Sequence, residues 1–395
     1  MSNGTANGTA ERAVLLGAGH AHLYAARRAE AFTRRGIELV LVAPDTFWYS
    51  GLATGMLAGI YPPTLDRVDA GALVTRGGGR FVQDRATRID ASTRTVHLEA
   101  GPPLRYDVVS LNVGSEVPVE SIPGAATYAY AVKPICNLWH LREELEARLR
   151  AAAGTGAVRV VVIGGGATGC EVAANIQRLA HGCGKPIEIT VLAKGEGVLE
   201  QFPRGTADAL ARILTRRGIT VRLRTAVIRV EPQYAVTVEG ESIGFDVLVD
   251  AAGLQPAMLI RSSGLQTNDE GALVVDDHLR SIADPNVFGG GDCVAMQGRT
   301  LPKIGVYAVR QAPVLVHNLI ATLAGKPLER FVPQRRYLLI LNLGDGTGLA
   351  TWGRFRWHGR LAFRLKDYID RRFLASFQRH GGTVTDTRCA GAHAR

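Results

Sequence analysis

The sequence predicts an α/β chain built from two strand–glycine-turn–helix units on parallel sheets, followed by a basic C-terminal segment. Two observations carry the first half of that statement. An apolar strand running into glycines and then an alanine-rich helix occurs at Ala13 and again at Arg159, and each copy is followed by a further apolar strand. The third observation is charge: 46 Lys and Arg against 36 Asp and Glu give a net +10 over 395 residues. An apolar fraction of 46% excludes disordered and fibrous classes, and the length suits two or three domains. No apolar run approaches the ~18 residues of a spanning helix. The start, Met1 to Arg12, is polar and lacks a signal-type core. The expectation is a cytoplasmic protein, either free or peripheral on the cytoplasmic face of a membrane.

The first unit reads as a strand from Ala13, a turn at Gly17-Ala18-Gly19, and a helix from His20. A second strand, Ile37 to Val42, ends at Ala43-Pro44-Asp45. Glycines at such a turn let the backbone approach a pyrophosphate, and the helix N-terminus offers free N–H groups and a favourable dipole. His22 stands where a third fingerprint glycine would be. The second unit is complete: Arg159 to Ile163 leads into Gly164-Gly165-Gly166-Ala167-Thr168-Gly169, and Ile187 to Leu192 is the next strand. A single glycine-rich turn is often only a turn; two in the same strand–turn–helix–strand setting point to two Rossmann-like dinucleotide-binding folds.

Three shorter strands also end in glycine. Tyr106 to Gly114 and Phe245 to Gly253 share an Asp-apolar-apolar entry, and Ala283 to Gly291 ends at Asp292. An acid beside a pyrophosphate would be repelled, so Asp292 is expected to accept hydrogen bonds from sugar-alcohol hydroxyls.

The five cysteines are scattered and never spaced C-x-x-C, which argues against a disulfide framework and against zinc or iron–sulfur ligation. His20 and His22 form an H-x-H without a nearby third ligand, so no metal site is expected. Between Trp352 and His380 there are seven Arg and one Lys against two Asp, a net +6. Thr351 to His358 alternates like a strand or hairpin. Leu361, Leu365, Tyr368, Ile369 and Phe373 then follow helical spacing, with Phe363 and Leu374 off the stripe. Cations mixed with rings fit an interfacial helix on an anionic membrane; an ordinary helix packed on the protein fits equally well. No nucleic-acid-binding module accompanies the charge, so no nucleic acid is expected.

The order first GxG, Asn112-Val113-Gly114, second GxGxxG, Ala251-Ala252-Gly253 and Gly290-Gly291-Asp292 resembles the two-dinucleotide flavoprotein reductases of the pyridine nucleotide-disulfide oxidoreductase superfamily, which are glutathione reductase-like in fold. Gly17 to His22, Tyr49-Ser50-Gly51 and Pro302 to Gln311 resemble the type II NADH dehydrogenase branch. The nearest variant is the one sometimes fused to selenophosphate synthetase. The resemblance implies FAD on residues 11–118 and 271–335, NAD(P)H on 119–270, and a C-terminal segment over 336–395. For FAD it implies Gly17, Gly19, His20, Asp45, Gly114, Gly291, Asp292 and Val306. For NAD(P)H it implies Gly164, Gly166, Gly169, Lys194 and Gly253. Glu171 would face nicotinamide and flavin. Lys303, with the segment after it, would stabilise the reduced flavin, and Gln311 would hydrogen-bond a quinone carbonyl.

The sequence departs from its relatives at several of these points. No cysteine lies between Thr46 and Tyr61, which excludes the internal C-x4-C disulfide of the disulfide reductases. Leu301 stands where sulfide:quinone oxidoreductases carry a cysteine, and Leu315 replaces a second glutamine of the NADH dehydrogenases. Asp45 lies two residues beyond the usual ribose-binding acid, at Ala43, and Ala193-Lys194 leaves a 2′-phosphate tolerable. The expected activity is electron transfer from NAD(P)H through FAD to a quinone. A reductase with another acceptor, sulfide- or selenium-linked, and a slow redox sensor are the alternatives; a homodimer is an open expectation.

Overall fold

The computed structural model describes residues 10–152 and 156–381; the remainder of the C-terminal segment, with Cys389, lies outside the described residues. Two five-stranded parallel sheets organise the chain. The first runs Val287–Gly289, Val108–Leu111, Arg12–Leu16, Glu38–Ala43, Arg80–Gln83. The second runs Ala129–Ala131, Val247–Asp250, Val158–Ile163, Ile187–Leu192, Thr220–Arg222; its last four strands repeat the order of the first, while its edge strand precedes the unit in the chain instead of following it. The central strands are continuous β-branched and leucine runs because helices cover both faces of such a sheet. Val14 lies opposite Val40 and Val109, and Val162 opposite Val191 and Val249.

The duplication extends to single hydrogen bonds. Asp107 Oδ2 accepts from Arg12 N at 2.7 Å, and Asp246 Oδ2 accepts from Arg159 N at 2.7 Å. The shared Asp-apolar-apolar entry is therefore a clamp that registers the strand against the start of its neighbour. At the other end Gly17 N donates to Val42 O and Gly164 N to Leu192 O, each at 2.8 Å.

Each unit also inserts a three-stranded antiparallel meander before its returning strand: Ala86–Asp90, Thr95–Leu98, Leu104–Arg105 in the first, and Val227–Glu231, Tyr234–Thr237, Ser242–Gly244 in the second. A last antiparallel sheet, Leu338–Asn342, Gly348–Trp352, Phe355–Gly359, leads into the helix Arg360–Gly381.

That helix packs on the protein, but not through the face its spacing predicts. Ala362, Asp370, Leu374 and Phe377 are buried, and Phe363 and Phe373 pack against the core. Leu361, Leu365, Tyr368 and Ile369 are exposed, at 74, 38, 60 and 43%. Phe363 and Leu374 thus lie on the packing face, and only Phe373 of the predicted stripe joins them. Arg27 fixes the outer end, donating to Ser376 O at 3.2 Å with its guanidinium 4.8 Å from the Phe377 ring. Gln378 Nε2 donates to Leu65 O and Arg67 O, each at 2.9 Å.

Candidate functional site

The first turn is held by Asn112. Gly17 has φ +83, and a Cβ on Gly19 would lie 2.4 Å from Asn112 Oδ1, so both positions exclude a side chain. Asn112 Oδ1 accepts from Ala21 N at 2.9 Å and His22 N at 3.3 Å, the N–H groups of the first helical turn. Its Nδ2 donates to Gly290 O at 2.6 Å. Asn112 therefore ties the Gly17–Gly19 turn to the Gly290-Gly291-Asp292 turn at the carboxyl edge of the sheet, where open α/β folds bind ligands.

His22 is a core residue. Its side chain is fully buried, with Nδ1 2.7 Å from Gly17 O and Nε2 2.8 Å from Ser110 Oγ. A carbonyl can only accept, so Nδ1 carries the proton and Nε2 accepts from the serine hydroxyl. Burial lowers its pKa to about 4. The histidine spans helix and strand where the usual glycine lets them touch, which accounts for the missing third glycine.

His20 projects from the start of the same helix into a ring cluster, 5.1 Å from Phe47, 5.5 Å from Tyr49 and 5.7 Å from Phe373 between centroids. Burial lowers it to about 4, against the opposing pull of Asp292. A Cβ on Gly305 would lie 3.3 Å from its Nε2. The helix Gly305–Leu323, with Val306 in its first turn, therefore begins beside the first turn.

Asp292 lies at the end of the strand Val287–Gly289. Its Oδ2 accepts from Ser115 Oγ at 2.8 Å and from Lys133 Nζ at 3.1 Å. Burial pushes its carboxyl up, but Lys133 and the serine outweigh that and hold it below the usual carboxylate range. Neither Lys133 nor Ser115 stands out in the sequence. Gly114, at φ +75, has open space where a Cβ would be, and Gly291 at φ +79 lies against Asn112 Nδ2.

Three predicted residues have contacts within the protein that the resemblance does not imply. Gln311 is 1% exposed, and its Oε1 accepts from Gly291 N at 2.7 Å. It supports the glycine turn from inside, where a quinone carbonyl has no access. Lys303 Nζ is 2.7 Å from Glu270 Oε2 and 3.3 Å from Leu254 O, so its charge is already paired. Asp45 Oδ1 accepts from Thr46 N at 2.6 Å, bending the carboxylate onto its own loop.

At the second turn Gly164 has φ +119, and a Cβ on Gly169 would meet Gly164 O at 2.0 Å. Gly166, before the helix Ala167–Gly182, has nothing within 4 Å of a Cβ. That leaves the helix N-terminus open to an anionic group. Gly253 has φ +48 and is likewise open. Lys194 is exposed past the strand Ile187–Leu192, but Glu196 and Glu200 follow it, with Glu200 Oε1 accepting from Glu196 N at 2.7 Å.

Glu171 lies inward on that helix and accepts from Thr54 Oγ1 at 2.7 Å. Burial raises its pKa, while Lys366, Thr54 and the Asn342 amide pull the other way. Lys366 comes from the C-terminal helix. It donates to Gly51 O at 2.6 Å and to Asp370 Oδ2 at 2.7 Å, and Tyr49 OH donates to Asp370 Oδ1 at 2.7 Å. Asp66 lies beside this group, fully buried, with neither carboxylate oxygen hydrogen-bonded; burial and the Asp370 charge raise its pKa well above the carboxylate norm. Cys170, next to Glu171, is a free buried thiol pushed up to about 12 by burial, which leaves it without thiolate character.

Comparison with known proteins agrees with this geometry. The family model for pyridine nucleotide-disulphide oxidoreductases matches residues 11–312. A type II NADH:quinone oxidoreductase of Haemophilus influenzae is 30% identical over 207 residues, which is 49% of this chain and 46% of that protein. The match thus spans about half of that relative's length. A demethylphylloquinone reductase of Synechocystis is 25% identical over 337 residues, covering 80% of this chain and 81% of its own. The structure of NDH2 from Plasmodium falciparum in complex with NADH superposes with a TM-score of 0.78 at 16% identity, over 93% of this chain and 97% of that one. The family implies FAD and NAD(P)H. The positive-φ glycines, the open helix N-terminus at Gly166 and the ionised Asp292 fit a flavin and a nicotinamide dinucleotide. With both dinucleotide turns in place and the match covering most of the chain, this protein belongs to the pyridine nucleotide-disulphide oxidoreductase family of oxidoreductases.

Proposed function

We propose that the protein is an FAD-dependent NAD(P)H dehydrogenase that delivers electrons to a quinone, in the type II NADH dehydrogenase-like branch near the variant sometimes fused to selenophosphate synthetase. Residues 11–118 and 271–335 hold FAD and 119–270 hold NAD(P)H. The observation that carries the reading is Glu171, a half-buried carboxyl that accepts from Thr54 Oγ1 and has a raised pKa beside the second glycine turn, in a chain with no cysteine between Thr46 and Tyr61. No dithiol in that segment is available to relay electrons. FAD, when bound, would supply two-electron chemistry between the nicotinamide and the acceptor. A quinone also takes up two protons, one more than hydride brings, and in this reading Glu171, whose pKa burial raises, relays the second.

The exposed stripe Leu361, Leu365, Tyr368 and Ile369, with Trp352 and Phe355 exposed at 55 and 63%, supports docking on an anionic membrane. Arg354, Arg360, Arg364, Arg371 and Arg372, all exposed, flank it. Among the described residues no helix is long and apolar enough to cross a membrane. Steady-state oxidation of NADH or NADPH with a short-chain quinone tests the activity. Turnover with a quinone supports it, and bound flavin that never passes electrons to quinone overturns it.

A further inference from the structure

We propose that Lys133 is a positioning residue for the flavin: it crosses from the nicotinamide unit to hold the Asp292 carboxylate in place, and it sets the charge at the flavin site. This rests on the reading that Asp292 accepts hydrogen bonds from the flavin's sugar alcohol. Lys133 follows the strand Ala129–Ala131, whose pairing partner is Val247–Asp250 in the second sheet, whereas Asp292 closes a strand of the first. The ammonium donates to Asp292 Oδ2 at 3.1 Å and to Ser115 Oγ at 2.7 Å, and the serine hydroxyl donates to the same Oδ2 at 2.8 Å. One carboxylate oxygen is therefore fixed by two donors. Oδ1 takes no hydrogen bond from the described residues and remains for a hydroxyl. The lysine and aspartate side chains are only 19 and 17% exposed, so the pair is little screened by solvent.

The ionisable groups facing Asp292 are Lys133 from the second unit and His20 from the first helix, with the Ser115 hydroxyl between. His20 is lowered to about 4 and is neutral near pH 7, so Lys133 is the cation that compensates the acid. Without it, burial is the dominant influence on Asp292 and raises its pKa. A cation beside a flavin also favours the anionic reduced form, so its loss makes the potential more negative.

The test compares full-length wild type with Lys133→Met and Lys133→Arg. FAD affinity is measured by reconstituting the apoprotein and following flavin fluorescence, and the potential by dye equilibration. Lys133→Met is expected to weaken FAD binding at least tenfold and to make the potential more negative. Its FAD affinity should also fall on acidification at a higher pH than that of wild type, because the Asp292 pKa moves up without the cation. Lys133→Arg restores the potential and the wild-type pH profile in larger part than the affinity. If Lys133→Met does not fold, Ser115→Ala, which removes the second donor to Asp292 Oδ2 but keeps the Lys133 cation, should weaken FAD affinity while leaving the potential near that of wild type. Unchanged affinity, potential and pH profile in a variant that takes up FAD overturn the proposal. A wild-type protein that takes up no FAD overturns the flavin reading itself.

Discussion

Replacing Lys366 with Met tests how the C-terminal helix is attached. The ammonium is 14% exposed, donates to Gly51 O and Asp370 Oδ2, and faces Glu171. Lys366→Met leaves Asp370, 6% exposed, with the Tyr49 hydroxyl as a remaining donor and without its ion-pair partner. Removing one partner of a buried ion pair costs about 3 kcal/mol, because the charge left behind stays desolvated. For domains of this size that corresponds to a fall in Tm of roughly 6 °C or more. Thermal unfolding at pH 7 of wild type, Lys366→Met and Lys366→Met/Asp370→Asn measures it. The double variant, which removes the stranded charge, should recover part of the loss. A loss below ~1 kcal/mol, or one that Asp370→Asn does not relieve, would refute the buried-pair reasoning.

Three further outcomes follow from named contacts. Gly19→Ala places a Cβ 2.4 Å from Asn112 Oδ1 and 2.6 Å from Asn112 O, so it should cost about 2 kcal/mol and abolish FAD uptake; stoichiometric FAD in the purified variant contradicts this. His22 titrates at about 4 in the fold against 6.5 ordinarily. Between those values the unfolded chain binds a proton that the folded one does not, so stability falls as pH drops from 6.5 to 4, by ~1.4 kcal/mol per unit. His22→Gln should therefore lose about 2 kcal/mol less than wild type between pH 7 and 4.5 in urea unfolding, and parallel losses would contradict it. Leu365→Glu/Ile369→Glu, at exposed positions, should leave Tm within about 1 °C yet abolish co-sedimentation with anionic liposomes. Undiminished binding would place the membrane contact elsewhere.

Both parallel sheets were legible because their central strands are unbroken apolar runs ending in glycine, a local pattern set by burial on two faces. The meanders 86–105 and 227–244 were not, since their short strands are half exposed and carry little periodicity. The C-terminal helix shows how a period can mislead. The stripe from Leu361 to Ile369 has helical spacing, yet the helix docks through the face carrying Lys366 and Asp370, whose polar groups find partners at Tyr49 and Gly51. The site contacts that the sequence concealed join distant segments: Thr54 with Glu171, Lys133 with Asp292, Asn112 with Gly290. No local pattern marks a lysine that will meet an acid 159 residues away. Gln311 and Lys303 were placed by resemblance alone, and their neighbours Gly291 and Glu270 give them other contacts.

An anaerobic absorbance titration of the purified protein with NADH, then NADPH, then a short-chain quinone tests the central assignment most directly. The expected result is a bound flavin bleached by at least one nucleotide and restored by quinone, with the restoration by quinone slowed in Glu171→Gln. A yellow protein that neither nucleotide bleaches, or a colourless one that takes up no FAD, would contradict it.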